Sequence, residues 1–376
     1  MIQKQFIGIL LVLSAFFTLS LEVWACRFNV RETGFVDLGV GYYHLFYFVD
    51  SEMSADDLAQ LETLGNEVLA EHSIVFGIVP VDQEPDHPAL RYLRSLEEWS
   101  LPAAVLVSPT GDSFWLGPLW EDVSSIDQVR GGLESVYASP VRSRIAEELS
   151  TAFAVVLLFE GQDEVENGRA RTSLLQAIET LEAELEYFPK PIKKGPVLVS
   201  LGREELTSER VLLWSFGVES GGLQQPIAAI LYGRGRWIGP LMIGDEITLD
   251  LVARVLFIVG ADCECDLDPR LLRGTGIPLP WNNSLQEIVS RDLGFDPDNP
   301  LVRMEVSQIM KVNSWQAAAR DLSVQQIGIP VQKDDSGVPT GRLFSFQFLY
   351  LIGGLLAVVV FLGLVIWIRA ANAVDR

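Results

Sequence analysis

At 376 residues, 49% of them hydrophobic and 21% charged, the chain can bury more than one core and is too apolar to be a disordered polymer. Its 28 basic side chains against 50 acidic ones leave a formal charge of −22, which repels phosphate backbones and argues against nucleic acid as a partner. Three cysteines, Cys26, Cys263 and Cys265, are too few for a disulfide framework, so the core has to hold itself together.

Residues 1–25 carry Lys4, an apolar run from Phe6 to Leu21, and Val23 and Ala25 at the minus-three and minus-one positions before Cys26. That is the pattern of a secretory signal peptide, and the run is shorter than the ~20 residues a membrane span needs. Cys26 then has two readings, the first residue after cleavage or a site of lipidation, although Trp24 is bulkier than a lipidation signal normally carries. The following CRFNVRETGFVDLG places Arg27, Asn29, Arg31 and Glu32 among apolar residues and has two readings, a surface segment with local ion pairs, which is favoured, and a binding loop.

The aromatic run GYYHLFYFVD (Gly41 to Asp50) predicts a buried strand. A helix starting near Ser54 follows, with Leu58, Leu61, Leu64 and Val68 at helical spacing. Ile74 to Val81 is a strand, His87 to Trp99 a helix, Pro102 opens a hairpin, and Ile126 to Tyr137 is a closing helix. Phe153 to Phe159 then begins the series again. Asn167 to Tyr187 predicts a long amphipathic helix, Pro196 to Leu201 a strand, Ser208 to Phe216 a helix, Pro226 a second hairpin and Leu249 to Gly260 a last helix. The hairpins share a phrase, LPAAVLVSPTGDSFWLGPL from Leu101 and QPIAAILYGRGRWIGPL from Gln225, which points to internal duplication.

Both copies follow the order β-α-β-α-β-β-α, and each resembles a thioredoxin-like domain. The resemblance implies an α/β fold in which a central mixed sheet is flanked by helices, with Pro102 and Pro226 at the place where that family characteristically has a cis-proline. It gives domain 1 at 26–148 and domain 2 at 149–270. A loop and helical extension at 271–328 is expected beyond them, with a capping box from Ser284 and Glu287, a stop at Gly294 and a further helix from Leu301 to Arg320. Residues 329–345, rich in Pro, Gly, Asp and Ser, read as a linker. Phe346 to Ile368 is charge-free and long enough to be a transmembrane helix, so the lipid bilayer is a partner through 346–368. Arg369 and Arg376 favour a cytoplasmic tail at 369–376, which puts the ectodomain outside the cytoplasm.

Thioredoxin-like oxidoreductases carry Cys-x-x-Cys where the helix after the first strand begins. Here those places read DSEMSADD (Asp50 to Asp57) and EGQDEVEN (Glu160 to Asn167), without cysteine. The family's redox chemistry therefore has no residues at either site. Cys263 and Cys265, in ADCECDLDP, are the candidate redox or metal pair, open to reading as a structural pair, soft-metal ligands or an exchange site. The surrounding carboxylates disfavour a thiolate. His44, His72 and His87 lie in the first copy, so a four-ligand zinc site around the pair is not supplied. Fragments such as GTG at Gly274 lack a nucleotide fingerprint, and no Ser-His-Asp set can be assembled. No catalytic, cofactor-binding or metal residue is assigned, and no cofactor is expected. The expectation is a non-catalytic, membrane-anchored extracytoplasmic binding or scaffold module for another membrane or envelope protein, accessory to a membrane transport complex. The alternative is an envelope thiol-disulfide or metal-handling protein acting through Cys263 and Cys265.

Overall fold

The computed structural model describes residues 27–310, apart from 39–40, 70–71, 95–98, 121–122, 124, 189, 220–221 and 262–275, and these fall in one compact unit, Met1–Asp321. A short helix α1 (Val30–Gly34) comes first. The first sheet lobe runs β1 (Tyr43–Val49), α2 (Ala55–Leu69), β2 (Ile74–Pro80), α3 (Leu90–Arg94), β3 (Ala103–Val107), β4 (Ser113–Gly117) and α4 (Ile126–Tyr137). A joining helix α5 (Pro140–Thr151) leads to the second lobe. That lobe consists of β5 (Val155–Phe159), α6 (Glu164–Glu184), β6 (Val197–Leu201), α7 (Arg203–Ser208), α8 (Arg210–Ser215), β7 (Ile227–Tyr232), β8 (Arg236–Ile243) and α9 (Leu249–Gly260). Helix α10 (Asn283–Leu293) and a helix α11 at 300–310 follow.

The two sheets have one topology. Their strand orders are β2-β1-β3-β4 and β6-β5-β7-β8, each with one parallel pair followed by antiparallel ones. Every residue of β3, β5 and β7 is buried, which is why these strands read as unbroken apolar runs. The edge strand β4 is half-exposed and more polar. Phe48 pairs with Ala103 and Phe159 with Ile227, so Pro102 and Pro226 stand one residue before the matching strands, at equivalent places. They differ in isomer, because Leu101–Pro102 is the only cis peptide among the described residues and Gln225–Pro226 is therefore trans. The second hairpin turn is the shorter, closing through Gly233 and Gly235, both in the left-handed region.

Several elements depart from the sequence expectations. Of the segment expected on the surface after Cys26, Phe28 to Val36 are buried and Arg27 is exposed. Asn29 caps α1 with a full capping box with Glu32, and Phe28, Val30 and Val36 enter the core formed by β5, α6, β7 and α9. By packing, residues 27–38 thus belong to the second lobe, not to the domain that follows them in sequence. Helix α5 was not expected at all. Its Ser139 cap and Pro140 at the first turn are a regular start, and Val141, Ile145 and Leu149 pack under β5. The predicted helix at His87 to Trp99 is described only over Leu90–Arg94, and the one predicted at Ser208 to Phe216 is two short helices separated by Glu209. Helix α6 begins earlier than expected because Asp163 accepts from the backbone N–H groups of Val165 and Glu166. The cap of α10 is Asn282, not Ser284, while Gly294 ends that helix as expected.

Among the contacts that tie the lobes together are an aromatic one and a buried ion pair. Trp214 of α8 packs against Tyr43 and Phe114 of the first sheet, at ring separations of 5.9 and 5.4 Å. The buried Arg142 lies 3.3 Å from the buried Glu209 and donates to the carbonyl oxygens of Val136 (2.6 Å), Ser135 (3.0 Å) and Ala138 (3.2 Å) at the end of α4. Burial lowers the Arg142 pKa, and Glu209 opposes that shift. Among the described residues no helix is long and apolar enough to cross a membrane. The expected signal peptide, linker, transmembrane helix and tail, together with the Lys311 to Arg320 part of the last predicted helix, lie outside the described residues.

Candidate functional site

In both lobes the first strand ends beside the proline of the hairpin, and the next helix begins there. In the first lobe this place is an exposed polar turn. The Asp50 carboxylate accepts from the Glu52 N–H (3.0 Å), and the Asp82 carboxylate accepts from the Ser51 N–H (3.3 Å). Ser54 caps α2, accepting from the Asp57 N–H at 3.1 Å and donating to the Asp57 carboxylate at 2.6 Å. Glu52, Asp56 and Asp82 are exposed, and Pro102 beside them is exposed too. The turn is open to solvent and carries carboxylates and hydroxyls.

The corresponding place in the second lobe is closed. A Cβ on Gly161 would lie 2.5 Å from the Gln225 carbonyl carbon and 2.8 Å from the Pro226 nitrogen. No side chain fits between the end of β5 and that peptide. The buried Asn167 side chain then clasps Gly161 on both sides, accepting from its N–H (2.8 Å) and donating to its carbonyl (3.1 Å). Arg203 donates to the Gln162 carbonyl at 2.6 Å, and Arg171 joins Glu160 in an ion pair. These bonds fix the loop at Gly161, while Gln162 to Val165 beyond it are exposed.

Pro102 and Pro226 each stand next to the end of the first strand of their lobe, after a cis and a trans peptide respectively. Cys26, Cys263 and Cys265 lie outside the described residues. Among the described residues no group of three or more His, Cys, Asp or Glu could hold a metal ion. The histidines do not meet. His44 and His87 flank Phe46 on the first sheet, with ring separations of 5.8 and 6.3 Å. His72 instead stacks on Tyr137 at 3.7 Å and accepts from the Trp281 N–H at 3.3 Å, joining the first lobe to the segment before α10. Burial pushes the His72 pKa down to about 4, with a backbone hydrogen bond at Leu279 working the other way. Sequence reasoning missed Gly161 as the closing residue. The available signal was a glycine directly after an apolar strand and opposite an X-Pro pair.

No protein-family profile matches the chain. No curated protein matches it in sequence. Among solved structures, the chain is similar to a zinc-bound form of human ERp44 at 13% identity and TM-score 0.23, covering 63% of this chain and 61% of that one. It is also similar to the first two thioredoxin domains of Saccharomyces cerevisiae Eps1p (14%, TM-score 0.19, 57% and 91%) and to the bb fragment of ERp72 (13%, TM-score 0.21, 59% and 90%). The chain thus spans about three fifths of the length of the ERp44 structure. The two sheets of this chain share one strand order, β2-β1-β3-β4 and β6-β5-β7-β8.

Proposed function

We propose that this chain is a non-catalytic binding module, anchored in a membrane with its two lobes outside the cytoplasm and accessory to another membrane or envelope protein such as a transport complex. The observation that carries this reading is the state of the two helix starts. One is closed by Gly161 against Gln225–Pro226, and the other is an exposed turn of carboxylates and hydroxyls. A thiol mechanism has no residues in either place. The open end of the first sheet, from Asp50 to Asp57 with Leu101 and Pro102, is the surface that takes an extended segment of the partner, and its carboxylates suit a basic one.

The test is co-purification of the full chain from membranes in mild detergent, comparing wild type with Asp50→Lys/Glu52→Lys, and with circular dichroism to establish intact folding. The partner is expected with wild type and lost from the double variant. Dithiothreitol-driven insulin reduction is expected to run no faster with the protein than without it. Turnover that disappears in Cys263→Ser would overturn the reading in favour of thiol exchange through Cys263 and Cys265. Stoichiometric zinc or calcium uptake without any co-purifying protein would replace it with metal handling.

A further inference from the structure

A cavity of about 360 Å³ opens where four distant segments meet, the residues around α1, the end of α5 with the start of β5, the loop from Lys190 to Lys194, and the end of α10. Its charge is opposite to that of the molecule. In a chain of formal charge −22, the cavity is lined by Arg27, Arg31, Lys190, Lys193 and Lys194 and by only two carboxylates, Glu32 and Asp292. Asp292 is shared, pairing with Arg31 at 3.2 Å and with Lys193 at 2.9 Å, so it neutralises neither fully. Glu32 pairs with Lys190. Arg27 and Lys194 have partners away from the lining, Glu305 and Glu148, in half-exposed pairs of the kind that contribute little and yield readily to a competing anion. The apolar part of the wall is offered by the half-buried Phe295 and Ile192, backed by the fully buried Phe28, edge-on to Phe295 at 5.4 Å, and Phe153.

From this geometry we infer a binding site for an amphiphilic anion, a phosphate or carboxylate head held by the lysine loop and Arg31 with a small apolar body against Phe295 and Ile192. The volume is at the lower end of that of small-ligand pockets, and an apolar lining with a few convergent polar groups is their usual make-up. Five cations converging on one cavity of a strongly acidic molecule raise the local concentration of anions there. The same chemistry is offered by a free organic anion and by an anionic lipid headgroup. The site stands apart from the open turn at Asp50 to Asp57 and does not depend on the reading given to that turn.

The test is calorimetric titration of the purified full chain in a neutral detergent with two probes, phenyl phosphate and the short-chain lipid dihexanoyl phosphatidylglycerol. Saturable binding of at least one is expected, weakened tenfold or more in Lys190→Gln/Lys193→Gln/Lys194→Gln and by a rise from 50 to 500 mM salt ~ the range over which exposed charges become screened. The distant Arg130→Gln, which removes an exposed cation of the first lobe, should leave binding unchanged. Phenyl phosphate binding identifies a free anion as the ligand, and binding of the lipid alone identifies a headgroup. Binding of neither probe overturns the assignment, as does equal binding by a triple variant that circular dichroism shows to be folded.

Discussion

Two side chains carry more of the junction between the lobes than their number suggests. His72 is held neutral between Tyr137 and the Trp281 N–H, with its pKa lowered to about 4 from an ordinary 6.5. Below pH 6.5 the unfolded chain binds a proton at this position and the folded chain does not, so stability falls as pH drops from about 6.5 to about 4 and this contribution levels off below that. The expected result is a smaller loss of urea midpoint between pH 7 and pH 4.5 in His72→Asn than in wild type. Arg142 acts differently. Removing it leaves Glu209 buried without a counter-charge, and Arg142→Met is expected to cost about 3–5 kcal/mol in urea unfolding, only part of it recovered in Arg142→Met/Glu209→Met because the carbonyls of Val136, Ser135 and Ala138 still lose their donor.

The N-terminal helix shows how an element is held by a turn remote from it in sequence. Gly233 has φ +58, and a Cβ there would lie 2.3 Å from the Gly34 carbonyl carbon, so the tip of the second hairpin and the end of α1 meet backbone to backbone. The Arg234 N–H donates to the Gly34 carbonyl at 3.1 Å across this contact. Gly233→Ala therefore meets two penalties, left-handed strain of about 1–2 kcal/mol and a backbone overlap that only displacement of α1 can relieve. Gly294→Ala isolates the first penalty, since Gly294 has φ +77 and nothing within 4 Å. Thermal unfolding of the two variants is expected to show the larger loss for Gly233→Ala, with proteolysis near residues 27–38 increased in that variant alone.

At the scale of the whole molecule, two lobes with one topology behave as one body because elements cross between them. Trp214 belongs to the second lobe and packs with the first, between Tyr43 and Phe114, and Val211 of the same helix lies in the first lobe's core. Truncating a well-packed Trp costs about 3–5 kcal/mol at a buried site and less at this half-buried one. Trp214→Ala is expected to turn a single unfolding transition into two, detected as urea curves by tryptophan fluorescence and by circular dichroism that no longer coincide.

The duplication, the order of strands and helices, and the absence of redox cysteines at both helix starts were legible in the residues themselves. Buried central strands leave unbroken apolar runs, Pro102 and Pro226 mark the same turn twice, and a missing thiol is missing wherever the chain goes. What the tertiary structure alone decided depends on contacts between distant segments. The polar run from Arg27 to Glu32 reads as surface because its partners, Ala152, Lys190 and Asp292, lie more than a hundred residues away. Gly161 reads as an ordinary loop glycine until the Gln225–Pro226 peptide closes over it, and five cations scattered from Arg27 to Lys194 become one cavity only when α1 docks on the second lobe. Local pattern determines which segments form helices and strands, because that depends on neighbours along the chain. Which charged groups are buried, paired or left facing a cavity depends on neighbours in space, and the fold supplies those.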